Sequence, residues 1–227
     1  MAFIAIFVVS VAALLWAHED PFARKAVCAH TGFCPVIPNA WYKTIYDFAV
    51  GSLISLFFYL LVVRLPDYER RRRLKRSLER HYRNFREECI EIILMASDGT
   101  YSAELPETLI VQDKFREYFT AKVTPDQDRW DRFLNNLDEY HLRELRSRME
   151  SFRTELNFIL NNTDISKTGP FEFLKRLSTA ISSMKHVTLG YDETKPLSLF
   201  LFDVFAGFSY VTGYRKEDII KKMIDAI

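Results

Sequence analysis

Apolar positions are distributed in two different ways along this chain. Residues 1–17 and 45–65 carry them in nearly unbroken runs, whereas from Leu74 onward they recur mostly every three or four positions between charged residues. Ile45 to Leu65 (IYDFAVGSLISLFFYLLVVRL) is 21 residues long and has charge only near its ends, at Asp47 and Arg64. That pattern predicts a helix crossing a hydrocarbon core about 30 Å thick. Met1 to Ala17 has no charged side chain and only Ser10 as a polar one. As a helix it would rise about 25 Å, a short span. A cleaved secretion signal normally begins with Lys or Arg, and none precedes this run, so the reading adopted is a retained first transmembrane helix.

The period of three or four then predicts helices. One is expected over Pro66 to Met95, with Leu74, Leu78, Tyr82, Phe85, Cys89, Ile92 and Ile93 on one face and arginines on the others. A loop, Ser97 to Leu105, leads to a helix over Pro106 to Ala121. Thr124 followed by Pro125 resembles a helix N-cap with proline at the first helical position. A helix from there to Asn162, the longest in the protein, is the expectation. Gly169 and Pro170 break the chain before a helix over Phe171 to His186. Leu197 to Tyr214 is apolar almost all round except for Asp203. It is read as a buried core helix closed by Gly213, because it is short for a third span and carries a carboxylate. Arg215 to Ile227 reads as a final amphipathic helix. The fold class expected is therefore mainly α: two N-terminal transmembrane helices followed by a cytosolic α-helical domain. Its parts are a hairpin with a short periplasmic loop over 1–65, a basic juxtamembrane helix over 66–95 and a helical domain over 96–227.

Charge sharpens the topology. Ten Lys and Arg between Arg64 and Arg86 face only Asp67, Glu69 and Glu79, a local net of +7, which leaves −6 for the rest of a chain whose formal charge is +1. Basic residues this close to a span end favour the cytoplasmic side, so both termini are expected inside, at a bacterial inner membrane. Arg70, Arg71, Arg72, Arg73, Lys75, Arg76 and Arg80 are candidates for contact with anionic lipid headgroups, and alternatively with nucleic acid. Lipid is preferred because no aromatic-interleaved or groove-reading motif accompanies the charge.

Candidate chemistry is sparse. Cys28 and Cys34 fall in the outer loop and are disulfide candidates; a metal reading through Cys28, His30 and Cys34 lacks a standard spacing and a fourth ligand. Gly51 and Ser55 share a helix face and are candidates for close span packing, either on the first span or between copies. Leu74, Leu78 and Phe85 are candidates for helix pairing in an oligomer. No phosphate loop, zinc-binding helix motif or nucleophile elbow occurs. His141, between Asp138 and Glu144, is best explained as surface pairing. The expectation is a protein without catalytic residues and without a cofactor.

The two short spans, the compact outer loop, the segment Phe57 to Arg73 (FFYLLVVRLPDYERRRR) and the helical domain together resemble the two-transmembrane effectors of bacterial anti-phage defence. In particular they are similar to the effector encoded beside the reverse transcriptase of some retrons. The resemblance implies a toxic membrane protein of abortive infection. It would be held silent by the reverse transcriptase and its RNA–DNA product, and released to self-associate and disrupt the inner membrane. The alternative is a membrane-tethered helical adaptor or signalling protein; a membrane enzyme ranks third.

Overall fold

The structure, a computed structural model, describes residues 2–17, 29, 39–162, 165, 168–209, 211 and 213–227. Cys28, Cys34 and His30 lie outside them. The chain divides into two compact units, Met1–Arg70 and Arg71–Ile227.

In the first unit, α1 (Ala2–Ala17) packs against α2 (Asn39–Tyr59). A π-helical turn, Leu60–Arg64, follows α2 and leads into α3 (Leu65–Asp98). The cause of the turn is local. Pro66 offers no N–H, and its ring would crowd the carbonyl four residues back, at Val62. The backbone widens before it, so that the Leu65 N–H donates to the carbonyl of Leu60, five residues away. Among the described residues one helical stretch, Lys43–Asp98, contains a window long and apolar enough to cross a membrane. The 16 residues of α1 fall short of the roughly 20 that a full crossing takes.

The second unit is mainly helical. Most of α3 lies in it, and α4 (Leu105–Leu109), α5 (Gln112–Thr120), α6 (Arg129–Asn135), α7 (Glu139–Asn162), α8 (Thr168–Ser183), α9 (Tyr191–Ala206) and α10 (Ile219–Asp225) follow. The helix pairs α7/α8, α5/α9 and α8/α10 pack together. Aromatic rings tie the centre: Phe85 of α3 stacks on Phe152 of α7 at 4.9 Å, and Phe205 of α9 lies 5.9 Å from Phe85 and 5.5 Å from Phe115. Asp98, at the end of α3, accepts from the Tyr118 hydroxyl at 2.8 Å and pairs with Arg129 and Arg132. It thereby fixes the end of α3 to α5 and α6.

Several boundaries differ from the sequence reading, each for a local reason. Thr124 does not start a long helix. Lys122–Thr124 and Gln127–Asp128 pair as a small antiparallel hairpin, β1 and β2. The helix start falls instead at Asp128, which exchanges capping bonds with Asp131. A second start follows at Asp138, whose carboxylate accepts from the His141 N–H at 2.8 Å. The long element is therefore two helices, and α3, with 34 residues, is the longest. The expected helix over 106–121 is likewise interrupted, at Ile110 and Val111. Gly169 and Pro170 sit in the first turn of α8, where the missing proline N–H costs nothing. The helix holding Asp203 ends at Ala206, because Gly207 takes a left-handed conformation at φ 65°. Beyond it, Ser209 and Gly213 exchange backbone hydrogen bonds of 3.0 and 2.8 Å. The described residues of the stretch expected to complete that helix are thus non-helical.

Candidate functional site

The face of α2 turned to α1 is built from Ala49, which is buried, and from Ile45, Ser52, Leu53 and Leu56, which are half-buried. On α1, which packs against α2, Ser10 and Ala17 are buried. Small residues therefore do mediate the contact, but Gly51 and Ser55 are not among them. Both are exposed, and a Cβ added at Gly51 would meet no atom within 4 Å. Of the two expectations for them, packing on the first span and association between copies, the first is not met: they lie on the side of α2 that α1 leaves open. The same side carries Phe48, Ile54 and Phe58, each more than half exposed. On α1, Ile4, Phe7, Val8 and Val9 are similarly uncovered. Soluble monomers rarely expose contiguous apolar surface, and such patches mark protein or membrane contact.

The basic segment sorts into three groups. Arg86 is not a surface residue. It is only 4% exposed, occupies the apolar face of α3 between Tyr82 and Cys89, and forms an ion pair with Asp218. Its guanidinium carbon lies 5.7 Å from the Tyr82 ring centre and 5.9 Å from that of Phe205. Asp218 also accepts from the Tyr82 hydroxyl at 2.9 Å and caps α10 through the Lys221 N–H at 3.0 Å. Burial pushes the Tyr82 hydroxyl's pKa far above its ordinary value, with Arg86 opposing and Asp218 reinforcing the shift. Second, Lys75 donates to the Asp225 backbone carbonyl, and Arg83 pairs with Glu107 at 2.9 Å. Third, Arg70, Arg72, Arg76 and Arg80 are exposed. Arg71 and Arg73 are exposed too, and both interact with neighbouring groups.

Leu78 and Phe85 are 0% and 3% exposed in the core of their own domain, and Leu74 packs at its edge. The expectation that these three form contacts between copies is corrected for the same reason that they looked suitable. A regular apolar stripe on a basic helix needs a cover, and α7, α9 and α10 of the same chain supply residues to it. The buried Cys89, whose thiol pKa burial raises, lies in this core as well.

The described residues of the second unit line several cavities. One of about 450 Å³ is lined by Tyr82, Arg83, Arg86, Glu107, Lys221 and Asp225 among others. Another of about 370 Å³ lies beside Phe173, Arg176, Asp203, Arg215 and Asp218. Asp203, on a helix that the sequence reading took as buried all round, is exposed at its rim. Its surroundings still raise its pKa by desolvation, with Arg215 opposing. A third, about 610 Å³, is polar and includes Asp126, Asp131, Asn135, Lys195 and Ser198. His141 pairs with Asp138 at 2.7 Å, and the hydrogen bonds that cap α7 lower the Asp138 pKa. Among the described residues no group of three His, Cys, Asp or Glu side chains is disposed to hold a metal.

The Arg86–Asp218 pair escaped the sequence reading, although a signal existed. Arg86 falls in register with Leu78, Tyr82, Cys89 and Ile93, at positions where an exposed arginine does not belong. No protein-family model, curated protein or solved structure matches the chain.

Proposed function

We propose that this chain is a toxic membrane effector in which the α1–α2 hairpin lies in a bacterial inner membrane and acts on it by self-association. Both termini are cytoplasmic in this reading, and the helical domain is the part that a partner restrains. That partner, on the resemblance of the Phe57–Arg73 segment and the layout, is a reverse transcriptase with its RNA–DNA product. The observation that carries the reading is the apolar side of α2 around Gly51 and Ser55, which α1 leaves open. Small residues four apart allow close approach of another helix, and the shortness of α1 makes a lone hairpin an imperfect span.

The test is expression of the chain without its genomic neighbours in bacteria loaded with a voltage-sensitive dye. Depolarisation is expected within the induction period. Gly51→Leu should abolish it at unchanged protein level. Because a Cβ added at Gly51 meets no atom within 4 Å, that loss at unchanged protein level would report contact between copies rather than misfolding. An intact potential on expression of the wild type overturns the reading.

A second reading, a membrane-tethered adaptor, is favoured by one specific observation. Leu74, Leu78 and Phe85 are used up inside the domain, which removes the helical stem that an oligomer was expected to share. Replacing both spans by an unrelated anchor separates the two: an adaptor keeps its activity and a membrane-disrupting effector loses it.

A further inference from the structure

We propose that Arg72, Arg76 and Arg80 form a ladder that draws anionic phospholipid headgroups, with Arg72 nearest their phosphates. The three residues are exposed, and among the described residues none has a side-chain hydrogen bond or ion pair. They stand at i, i+4 and i+8 on α3 and so share one face. That face points away from the core, since Leu78, Tyr82, Phe85 and Cys89 occupy the opposite side of the same helix.

Folding does not account for the arrangement. Two successive like-charge pairs four apart oppose helix formation. Glu79, within a turn of both Arg76 and Arg80, pairs with neither. Half-buried arginines elsewhere in the domain are answered by acids, Arg116 by Asp113, Arg148 by Glu88 and Glu144, and Arg153 by Glu150, whereas the exposed Arg143 and Arg176 stand singly on their helices without one. What sets residues 72, 76 and 80 apart is their succession on one face, which leaves three guanidiniums in a row open to an anion, and the guanidinium fork suits phosphate oxygens.

Continuity with the apolar helix identifies that anion. Arg72 follows Leu65 by seven residues, about 10 Å of helix, just past the headgroup layer of about 5–8 Å outside the hydrocarbon core and within reach of it through its own long side chain. Tyr68, in between, is 64% exposed, and tyrosine is a residue type enriched at membrane interfaces. A single-stranded nucleic acid would ask for aromatic side chains among the basic ones, and residues 72–80 (RRLKRSLER) contain none. Each step along the ladder rises about 6 Å, comparable with the screening length at physiological salt, so Arg72 should contribute most and Arg80 least.

The proposal rests on the apolar stretch of Lys43–Asp98 lying in a membrane, and not on the hairpin being toxic. The test uses the full chain in nanodiscs of phosphatidylcholine, with and without phosphatidylglycerol, and measures amide hydrogen exchange over residues 70–80. Relief of the two like-charge pairs alone should slow exchange about two- to five-fold in the anionic discs, and high salt should remove the difference. A triple Arg→Gln variant at 72, 76 and 80 should exchange equally in both discs, while the triple Arg→Lys variant should keep the dependence. Equal exchange of the wild type in the two discs overturns the proposal. So does slowing by a single-stranded oligonucleotide in phosphatidylcholine discs without any response to phosphatidylglycerol. Depolarisation in cells without lipid-dependent protection sinks the ladder and leaves the effector reading standing; the converse pair of results does the reverse.

Discussion

Removing the Asp218 carboxylate should unpin the C-terminal helix from α3. In Asp218→Ala, Arg86 loses its ion-pair partner while remaining only 5% exposed at its side chain. Two of its nitrogens, Nε and Nη2, already lack a partner in the protein, so the substitution leaves the whole guanidinium unanswered. Leaving a buried charge without its partner costs about 3–5 kcal/mol. Loss of the cap on α10 adds about 1 kcal/mol, and the Tyr82 hydrogen bond about the same. These overlap, because one carboxylate makes all three, so the net should be about 4–5 kcal/mol out of the roughly 5–15 kcal/mol that hold a domain together. Arg86→Met should cost less, about 1–2 kcal/mol, since it removes the charge at similar volume and leaves Asp218 its cap and its tyrosine. The informative quantity is the double variant. Once Arg86 is gone there is no stranded charge, so Asp218→Ala with Arg86→Met should be more stable than Asp218→Ala alone, with a coupling of about 2–3 kcal/mol. Urea unfolding of the full chain in nanodiscs measures this, followed by Trp130 emission after the other two tryptophans, Trp16 and Trp41, are changed to Phe. A cost below about 1 kcal/mol for Asp218→Ala, or additive single effects, would refute the assignment of the pair as a pin.

Two further outcomes follow from local geometry. Gly207→Ala should destabilise the domain by about 1–2 kcal/mol for its left-handed backbone alone. It should cost more in total, because the new methyl would meet the Gln112 side chain at 2.7 Å and displace its bond to the Val204 carbonyl. Gly99→Ala, at φ 74° with open space around it, should show the backbone cost only, and thermal unfolding compares the two. Asp203 is the pH-dependent case. Its folded-state pKa is raised, so its ionisation opposes folding: the penalty is absent below the unfolded value and enters as pH rises through the folded one. Asp203→Asn should therefore raise Tm at pH 7 and leave it unchanged at pH 3. An equal shift at both pH values would mean that the gain is not electrostatic.

Much of the helical content was legible because it is written locally. Leu142, Leu145, Met149, Phe152, Leu156 and Ile159 recur at helical spacing, and all are buried along α7. The periodic face of α3 was equally clear, as was the apolar stretch that ends at Leu65. Boundaries were less so. Thr124 and Pro125 carry the letters of a helix start, yet backbone pairing between Lys122 and Asp128 takes precedence. The cap two residues beyond that pair's turn had the same chemistry and was overlooked.

The candidate surface was half visible. The cluster of basic residues needed only the sequence, and so did its position just after an apolar run. Which arginines are available to a ligand did not follow from it, because Arg86 and Arg72 are the same residue type in the same run and only their partners differ. The first has Asp218, 132 residues away in the chain, and the second has no acid in contact. The same holds for the small and apolar residues. Periodicity says that Leu78 and Phe85 share a face and that Gly51 and Ser55 share another. Tertiary structure alone decides that the first face is covered by the chain's own helices and the second is left open. Local pattern fixes which side of a helix seeks burial, through the geometry of 3.6 residues per turn. What covers that side is set by contacts between residues far apart in sequence, and no single stretch of the chain contains them.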